Sequence, residues 1–310
     1  MNSILISGSL AYDRIMNFPG TFKEHFHADK MHALSLSFLV DTLEESFGGT
    51  AGNIAYNLAL LGERPTIIAN GGGDFAKYRE YLEKAGVDTS EIQLETNVPT
   101  AVGHMITDKE DNQIAAFYMG AMSQPYVQKI PKADLAIVAA GNPQDMVELP
   151  KKFVASGTPF FFDIGQGITA LSGDMIREAV PGATVLLGND YEIATILKKT
   201  RWSMDELLAQ VPVVVTTLGG KGSTITTAEG ETNVLPVKAI QVLDPTGAGD
   251  AYRAGFATAW LKKLPLHVCT QVASTVAVYA VESYGTQRHT FTMEQLKERY
   301  SSAYGSAFPF

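Results

Sequence analysis

Short apolar runs that end in Gly, Asn or Asp and lead into helical patterns recur along this chain, and this alternation constrains its fold most. They lie at residues 3–9, 65–74, 133–142, 158–166, 183–190 and 211–220. Such runs, separated by helical segments, indicate βαβ units and a mainly parallel sheet that is buried on both faces. The sequence therefore predicts an α/β protein in which helices cover both faces of a central sheet.

Two segments interrupt the alternation. Residues 14–47 and 97–119 contain the strand-like stretches "LSLSFLV" and "TAVGHMI…QIAAFYM", with no crossover helix between them. We expect them to form a small antiparallel sheet, either a lid over a site or an extra edge of the main sheet. Because no linker-like segment divides the chain, residues 1–310 are predicted to form a single domain.

Composition excludes several classes of function. The net charge of −9 argues against a nucleic-acid surface, which needs clustered basic residues. No run of about 18 apolar residues predicts a membrane span, and the first residues lack the pattern of a signal peptide. The single cysteine, Cys269, rules out an internal disulfide and fits a reducing compartment. A cytoplasmic enzyme of bacterial type is expected.

Polar residues follow several of the predicted strands. Ligands of parallel α/β sheets collect beyond the carboxyl ends of the strands. In this sequence the residues at those ends are Asn142, Asp163, Asn189 and Gly219.

The stretch "DPTGAGDAYRAGF" at 244–256 combines a run of small residues, Gly247-Ala248-Gly249, with Asp250 and a helical pattern. Small residues let consecutive backbone N–H groups turn toward one point, and a helix N-terminus favours negative charge. A carboxylate beside such an anion site supplies what a kinase needs: a proton acceptor and a holder of the phosphoryl group. The alternative is that Asp250 only caps the helix.

The stretch "FGGTAGNIAYNLALLG" at 47–62 has the same build, with glycines before Asn53 and a helical pattern. Alone it is a weak signal for a polar ligand. The chain has no glycine loop ending in Lys-Ser/Thr, which argues against a P-loop enzyme. Since "SGSLAYDRI" is not G-x-G-x-x-G, a dinucleotide-binding Rossmann motif is also excluded at the first strand.

Together these stretches resemble the ribokinase (PfkB) family of carbohydrate and nucleoside kinases. "GGTAGN" is similar to the N-terminal glycine signature of the family, and "DPTGAGDAYRAGF" to its C-terminal signature. Between them, "GNDYE" resembles the Asn-x-x-Glu motif, and "TTLGGKG" resembles the nucleotide-contacting glycine turn. The resemblance covers the whole chain and implies a ribokinase-like fold with a small β-sheet lid.

The resemblance also implies roles for residues around the reacting groups. Asp250 would be the catalytic base, and the amides of Gly247, Ala248 and Gly249 would form the anion hole. Asp13, expected at the end of the first strand, would hold substrate hydroxyls. Gly48, Gly49 and Asn53 would line the same sugar.

On the nucleotide side, the resemblance implies ATP and Mg²⁺ as cofactors. Asn189 and Glu192 would hold Mg²⁺ through water, although a plain helix start is the alternative for both. Thr217, Gly219, Lys221 and Gly222 would border ATP, with an exposed turn lysine as the alternative for Lys221. Arg253 would contact a phosphate, unless it lies on the helix surface.

The lid stretches look like those of adenosine-kinase-like or broad nucleoside kinases of bacteria and archaea. Phe38, Phe117 and Tyr118 are candidates to stack on a base. Since neighbouring strand residues face opposite sides, only one of Phe117 and Tyr118 can point at the ligand. The expected reaction is phosphorylation of the 5′-hydroxyl of a purine nucleoside. A sugar kinase and a non-catalytic binding protein on the same fold are the alternatives.

Two further properties stay open in the sequence. Potassium activation is known in the family, and segments around Asp244 and 280–285 could host that cation. A monomer and a homodimer through the lid sheet are both compatible with the chain.

Overall fold

A computed structural model describes residues 3–26, 35–110 and 112–310. Residues 27–34, which belong to the first predicted lid segment, lie outside the described residues.

The predicted apolar runs of the main sheet all contain strands, whereas the strands Ala11–Asn17, Thr42–Gly48, Gln93–Glu95, Ser223–Thr227 and Gly230–Val234 lie outside the predicted stretches. In chain order the strands are β1 (Ser3–Ser7), β2 (Ala11–Asn17), β3 (Thr42–Gly48), β4 (Arg64–Ile67), β5 (Asn70–Gly72), β6 (Gln93–Glu95), β7 (Ala101–Thr107), β8 (Gln113–Tyr118), β9 (Leu135–Val138), β10 (Phe160–Asp163), β11 (Val185–Asn189), β12 (Val214–Thr217), β13 (Ser223–Thr227) and β14 (Gly230–Val234).

The described helices lie between these strands or after the last of them. In chain order they are α1 (Thr50–Leu60), α2 (Ala76–Lys84), α3 (Pro143–Ser156), α4 (Gly173–Ala179), α5 (Asp190–Thr200), α6 (Met204–Leu208), α7 (Ala248–Leu261), α8 (Leu266–Val281) and α9 (Met293–Tyr304).

The main sheet has eight strands in the order β14-β13-β12-β11-β10-β9-β1-β4. The six strands from β12 to β4 pair in parallel, and β13 and β14 add an antiparallel edge. Its central strands are apolar on both faces, and all four residues of β9 and of β10 are buried. Parallel strands need this double burial because crossover helices cover both faces. The predicted mainly parallel sheet is confirmed.

Two apolar layers lie on opposite sides of this sheet. One layer contains residues of α1, α2, α7, α8 and α9, such as Ile54 and Phe256. The other contains residues of α3 to α6, such as Phe153 and Ile196. Phe161 and Phe162, neighbours in β10, belong one to each layer. The period-2 alternation of strand side chains therefore assembles both layers at once.

A second sheet of four strands, β3-β2-β7-β8, is called the small sheet here. Strand β2 pairs antiparallel with β3 and parallel with β7, and β7 pairs antiparallel with β8. The predicted small sheet is thus present, although one of its three pairings is parallel. Its strands occupy 11–17, 42–48, 101–107 and 113–118, close to the predicted segments 14–47 and 97–119.

Two details of the strand prediction were wrong. The stretch "LSLSFLV" contributes no strand within its described residues 35–40, because the pairing partner of β2 is the segment 42–48. The apolar run 65–74 divides between two sheets: β4 joins the main sheet, whereas β5 pairs with β6. In both cases tertiary pairing decided what local alternation could not.

No helix within the described parts of the chain is both long and apolar enough to traverse a lipid bilayer.

Candidate active site

Asp250 lies in the first turn of α7, where the preceding residues form a tight approach to the helix. The N-cap residue is Gly247, with φ of 78°, a left-handed conformation that residues with a side chain rarely adopt. The chain can therefore turn sharply from Pro245 into the helix. Asp250 is 9% exposed, and its Oδ2 accepts a hydrogen bond from Asn53 Nδ2 at 2.8 Å.

Burial raises the pKa of the Asp250 carboxyl above its ordinary value, and nearby Glu192 adds to the rise. The Arg253 guanidinium and the hydrogen bond from Asn53 act in the opposite direction. A carboxylate with a raised pKa is a better proton acceptor than a solvated one, as a general base requires.

The amides of Gly247, Ala248 and Gly249 differ in their availability. Ala248 N–H donates to the Pro245 carbonyl at 3.2 Å, closing a turn. Among the described residues, the N–H groups of Gly247 and Gly249 have no hydrogen-bond acceptor. Two of the three predicted donors are therefore free for an anion at the helix N-terminus, where the helix dipole favours negative charge.

Arg253 lies one turn further along α7, against the same glycines. A Cβ built on Gly249 would come within 2.3 Å of Arg253 Nη1, so a larger residue would have to displace this guanidinium. The sequence left open whether Arg253 lies on the helix surface or in the site. The Arg253 side chain is only 11% exposed, so it is buried in the site.

The partner of Arg253 is Asp163, the last residue of β10. Arg253 Nη2 donates to Asp163 Oδ1 at 2.5 Å, and Nε forms a second close contact with Oδ2. Burial raises the pKa of Asp163 and Arg253 opposes this rise. Although burial lowers the pKa of Arg253, Asp163 and Asp250 together raise it. The guanidinium therefore stays charged beside the free amides.

Asp13 lies in β2 of the small sheet, and not at the end of the first strand as predicted, because β1 ends at Ser7. A Cβ on Gly48 would come within 2.1 Å of its Oδ2, so the glycine makes room for the carboxylate. The neighbouring Gly49 has φ of 86° and packs against the Ser9 carbonyl. Burial, with the charges of Asp244 and Asp250, raises the pKa of Asp13 to about 6.

The three candidate aromatic residues differ in their surroundings. Phe117 pairs with Gly103, which pairs with Asp13, so all three lie on one face of the small sheet. Tyr118 is the next residue of β8 and faces the other side of the small sheet. The side chains of Phe117 and Tyr118 are both about half exposed. Phe38 packs instead in an aromatic cluster, with ring centroids 4.9 Å from Phe18 and 5.2 Å from Phe22.

Asn189 and Glu192 form a capping box at the start of α5. Asn189 Oδ1 accepts from Glu192 N–H, and Glu192 Oε2 accepts from Asn189 N–H, both at 2.8 Å. Oε1 of Glu192 has no partner among the described residues, and Glu192 influences Asp163, Asp250 and Arg253 electrostatically. One free carboxylate oxygen near phosphates fits Mg²⁺, which keeps most of its waters and uses few protein ligands.

The residues of the glycine turn lie at the end of β12. Thr217 pairs with Asn189 across β11 and β12, so both lie at the same edge of the main sheet. Gly219 and Gly222 have φ of 57° and 96°. A Cβ on Gly219 would meet open space, whereas one on Gly222 would approach the Val234 carbonyl to 2.2 Å. Lys221 is exposed.

Among residues 3–26, 35–110 and 112–310, no group of three or more His, Cys, Asp or Glu side chains is arranged to hold a metal ion.

Sequence reasoning identified Asp163 as a strand-end residue but assigned it no role, and it overlooked Tyr78 and Gln287. Gln287 Nε2 donates to Asn53 Oδ1 at 2.8 Å and to the Tyr78 hydroxyl at 2.6 Å. A signal for Asp163 existed in its position after an apolar run. No local pattern distinguishes Tyr78 or Gln287, whose importance depends on long-range contacts.

The site thus combines a buried carboxylate, free amides and a guanidinium on α7 with a second carboxylate on the small sheet. This combination can accept a proton from a hydroxyl group and stabilise negative charge on a group transferred to it.

Solved structures similar to this chain include two nucleoside kinases. The nucleoside kinase of Burkholderia thailandensis, solved in complex with inosine, superposes with a TM-score of 0.88, 35% identity and coverage of 98% of this chain and 99% of that one. The nucleoside kinase of Methanocaldococcus jannaschii gives a TM-score of 0.88 at 28% identity, covering 97% and 99%. The predicted ribokinase-like fold is confirmed.

Comparison with protein sequences gives the same family. A nucleoside kinase of Methanothermobacter thermautotrophicus is 31% identical over 97% of this chain and 96% of its own length. The family model described as pfkB family carbohydrate kinase matches residues 4–292. The resemblance predicted from the motifs is confirmed, and so is the expected class of enzyme, a phosphotransferase with a hydroxyl acceptor. The chain belongs to the pfkB family of carbohydrate kinases.

Proposed function

We propose that this protein transfers the γ-phosphoryl group of ATP to the 5′-hydroxyl of a purine nucleoside, with Asp250 as the base. The observation that carries the proposal is the position of Asp250, buried beside two free glycine amides and a paired guanidinium. The Burkholderia relative was also solved with ADP and inosine, which supports a nucleoside as acceptor.

In this mechanism, Asp250 accepts the proton of the 5′-hydroxyl as the hydroxyl oxygen attacks the γ-phosphorus in line. The bond from that phosphorus to the β,γ-bridging oxygen breaks, and ADP leaves. The amides of Gly247 and Gly249 and the guanidinium of Arg253 stabilise the charge on the transferring group. The Ala248 amide donates to the Pro245 carbonyl instead, and so it holds the turn that presents the other two amides. Because these donors are fixed by the fold before the substrate arrives, little reorganisation is needed during the reaction.

The acceptor would lie between α1 and the small sheet. Asp13 would accept hydrogen bonds from the sugar hydroxyls, while Gly48 and Gly49 allow the sugar to approach the backbone. Phe117 would stack on the purine, since it shares a sheet face with Asp13. Tyr118 and Phe38 would support the small sheet rather than touch the base. Closure of the small sheet as a lid would exclude water, which otherwise competes for ATP.

The nucleotide would lie along the carboxyl edge of β11 and β12. Thr217, Gly219, Lys221 and Gly222 would border ATP. Glu192, with Asn189 behind it, would hold Mg²⁺ through water, and the metal would neutralise phosphate charge. A K⁺ site near Asp244 stays a prediction. Both Asp244 oxygens already accept main-chain N–H groups, from Thr246 and Gly285 at 2.9 Å.

The assembly and its location belong to the same proposal. A monomer and a homodimer through the small sheet are both compatible with its outer face, where Leu43 is 64% exposed. A cytoplasmic location fits the use of ATP and the free, buried thiol of Cys269.

The test is ATP consumption by the purified protein with Mg²⁺ and a panel of acceptors: adenosine, inosine, guanosine, cytidine, ribose and fructose. We expect turnover with the purine nucleosides and little with the free sugars. Turnover with ribose or fructose alone would replace the nucleoside by a sugar and leave Asp250 as the base. Absence of turnover with every acceptor would favour a binding protein on the same fold.

A further inference from the structure

A buried chain of hydrogen bonds leads from the backbone of the small sheet to Asp250. The Tyr78 hydroxyl donates to the Gly48 carbonyl at 2.8 Å, and Gln287 Nε2 donates to the Tyr78 hydroxyl at 2.6 Å. The same Nε2 donates to Asn53 Oδ1, and Asn53 Nδ2 donates to Asp250 Oδ2, both at 2.8 Å. The side chains that take part are Tyr78 of α2, Gln287 of the segment after α8, Asn53 of α1 and Asp250 of α7.

The first link fixes the direction of every other link. A carbonyl oxygen only accepts hydrogen bonds, so the Tyr78 hydroxyl must donate to Gly48 and accept from Gln287. Burial raises the pKa of the Tyr78 hydroxyl well above its ordinary value, so it keeps its proton. Gln287 must then present its NH₂ group to Asn53. Asn53 is thereby held with its oxygen toward Gln287 and its NH₂ group toward Asp250.

Two features of the backbone accompany this arrangement. Gln287 is 3% exposed and has φ of 58°, in the left-handed region that non-glycine residues seldom occupy. A Cβ on Gly52 would come within 1.9 Å of the Tyr78 hydroxyl, so the glycine is required where that hydroxyl lies. The Tyr81 hydroxyl also donates to the Gln287 carbonyl, which holds this backbone conformation.

We propose that Tyr78 and Gln287 are positioning residues that hold the Asn53 amide as a donor to Asp250 and so keep the base ionised and aimed. This inference rests on the proposed function only in calling Asp250 the base. The chain of hydrogen bonds begins at Gly48, the last residue of β3. Thr286, which precedes Gln287, also donates from its hydroxyl to the Phe47 carbonyl at 2.6 Å. The position of the small sheet and the orientation of the base are therefore linked.

Other charged groups also face Asp250, and none of them takes part in this chain of hydrogen bonds. Arg253 lies on the same helix, Glu192 on α5, Asp163 at the end of β10 and Asp13 on β2. Substitutions at Tyr78 or Gln287 change none of these four residues. A change in the pKa of Asp250 would then report the loss of the oriented Asn53 amide as hydrogen-bond donor.

The experiment measures the pKa of Asp250 directly, by NMR titration of protein labelled with ¹³C at the aspartate carboxyl carbons. Asp250→Asn identifies the signal. Tyr78→Phe and Gln287→Met each break the chain with little change in volume. The matched control is Tyr300→Phe, which removes a buried hydroxyl that donates to Gln271 Oε1 at 2.7 Å, away from this hydrogen-bond chain.

Loss of the oriented donor should raise the pKa of Asp250 by about one unit, since a hydrogen bond to a charged group favours the charged form. The acidic limb of the pH profile of kcat/KM should move upward by the same amount, with the KM for ATP unchanged. Tyr300→Phe should leave both the pKa of Asp250 and the acidic limb of the pH profile in place.

An unchanged pKa of Asp250 in both Tyr78→Phe and Gln287→Met overturns the inference, and so does an equal shift in Tyr300→Phe, which would indicate a general loss of packing. Thermal unfolding of each variant shows that the titrated protein is folded. Because the titration needs no turnover, it decides the inference even if the wild-type protein phosphorylates no nucleoside, a result that would count against the proposed function alone.

Discussion

The two glycine-rich helix starts, α1 and α7, look alike in sequence and differ in what satisfies their first amides. Both have a glycine N-cap with positive φ, 86° at Gly49 and 78° at Gly247. At α1, Thr50 N–H donates to Ser9 Oγ at 2.9 Å and Ala51 N–H to the Ser9 carbonyl at 3.0 Å. At α7, the Gly249 amide has no acceptor within the described residues. A free amide at a helix N-terminus can hold an anion, and a satisfied one cannot.

Charge separates the two starts as well. The start of α7 gathers Asp250 and Arg253, with Asp163 behind them. The start of α1 has no acidic residue in its first turn and offers Asn53, a neutral amide. We infer that α7 carries out the proton and phosphoryl transfer, whereas α1 orients the base and the acceptor.

The largest effect should come from α7. Asp250→Asn keeps the size of the side chain and removes the proton acceptor, so kcat should fall by about a thousandfold. The KM for the acceptor should change little, and steady-state kinetics measures both. Unchanged turnover would remove Asp250 from the role of base.

The next largest effect should come from the guanidinium. Arg253→Gln should lower kcat by about a hundredfold, as the loss of one stabilising donor does elsewhere. Because it also strands a buried carboxylate, the single variant should lose stability by about 3–5 kcal/mol. The double variant Arg253→Gln with Asp163→Asn should recover stability in chemical denaturation and not recover kcat. Recovery of both would make the ion pair purely structural.

On the small sheet, we expect an effect on binding that depends on pH. Asp13 has a pKa raised to about 6, so it is ionised above that pH and protonated below it. A protonated carboxyl accepts hydrogen bonds from sugar hydroxyls less well. The KM for the nucleoside should therefore rise as the pH falls through about 6. Asp13→Asn should give a high KM without this dependence, and a KM that still varies near pH 6 in this variant would exclude Asp13 as its origin.

The smallest effect should be on stability at α1. In Gly52→Ala the new methyl group meets the Tyr78 hydroxyl at 1.9 Å, so the free energy of unfolding should fall by about 1–3 kcal/mol. Adding Tyr78→Phe should reduce the loss. The matched control is Gly220→Ala, whose Cβ meets nothing within 4 Å. Denaturant unfolding of the four proteins provides the comparison, and equal losses at both glycines would contradict it.

Much of this architecture could be predicted from local sequence. Apolar runs ending in polar residues gave β1, β9, β10, β11 and β12, because a doubly buried parallel strand must be apolar throughout. Asp13 was misplaced, since the turn from β1 into the small sheet leaves no periodic signal. The link from Gln287 to Asn53 spans 234 residues, and no local pattern encodes such a contact. The difference between the two helix starts was hidden for the same reason: Ser9, which satisfies α1, lies in another part of the chain.

The most direct test of the account is ³¹P NMR of the product formed from ATP and inosine, because it identifies the phosphorylated oxygen. We predict a nucleoside 5′-monophosphate, recognised by coupling of the phosphorus to the two 5′-protons, and formed about a thousandfold more slowly by Asp250→Asn. A phosphate on a ribose ring hydroxyl, or free phosphate with inosine unchanged, would contradict the account.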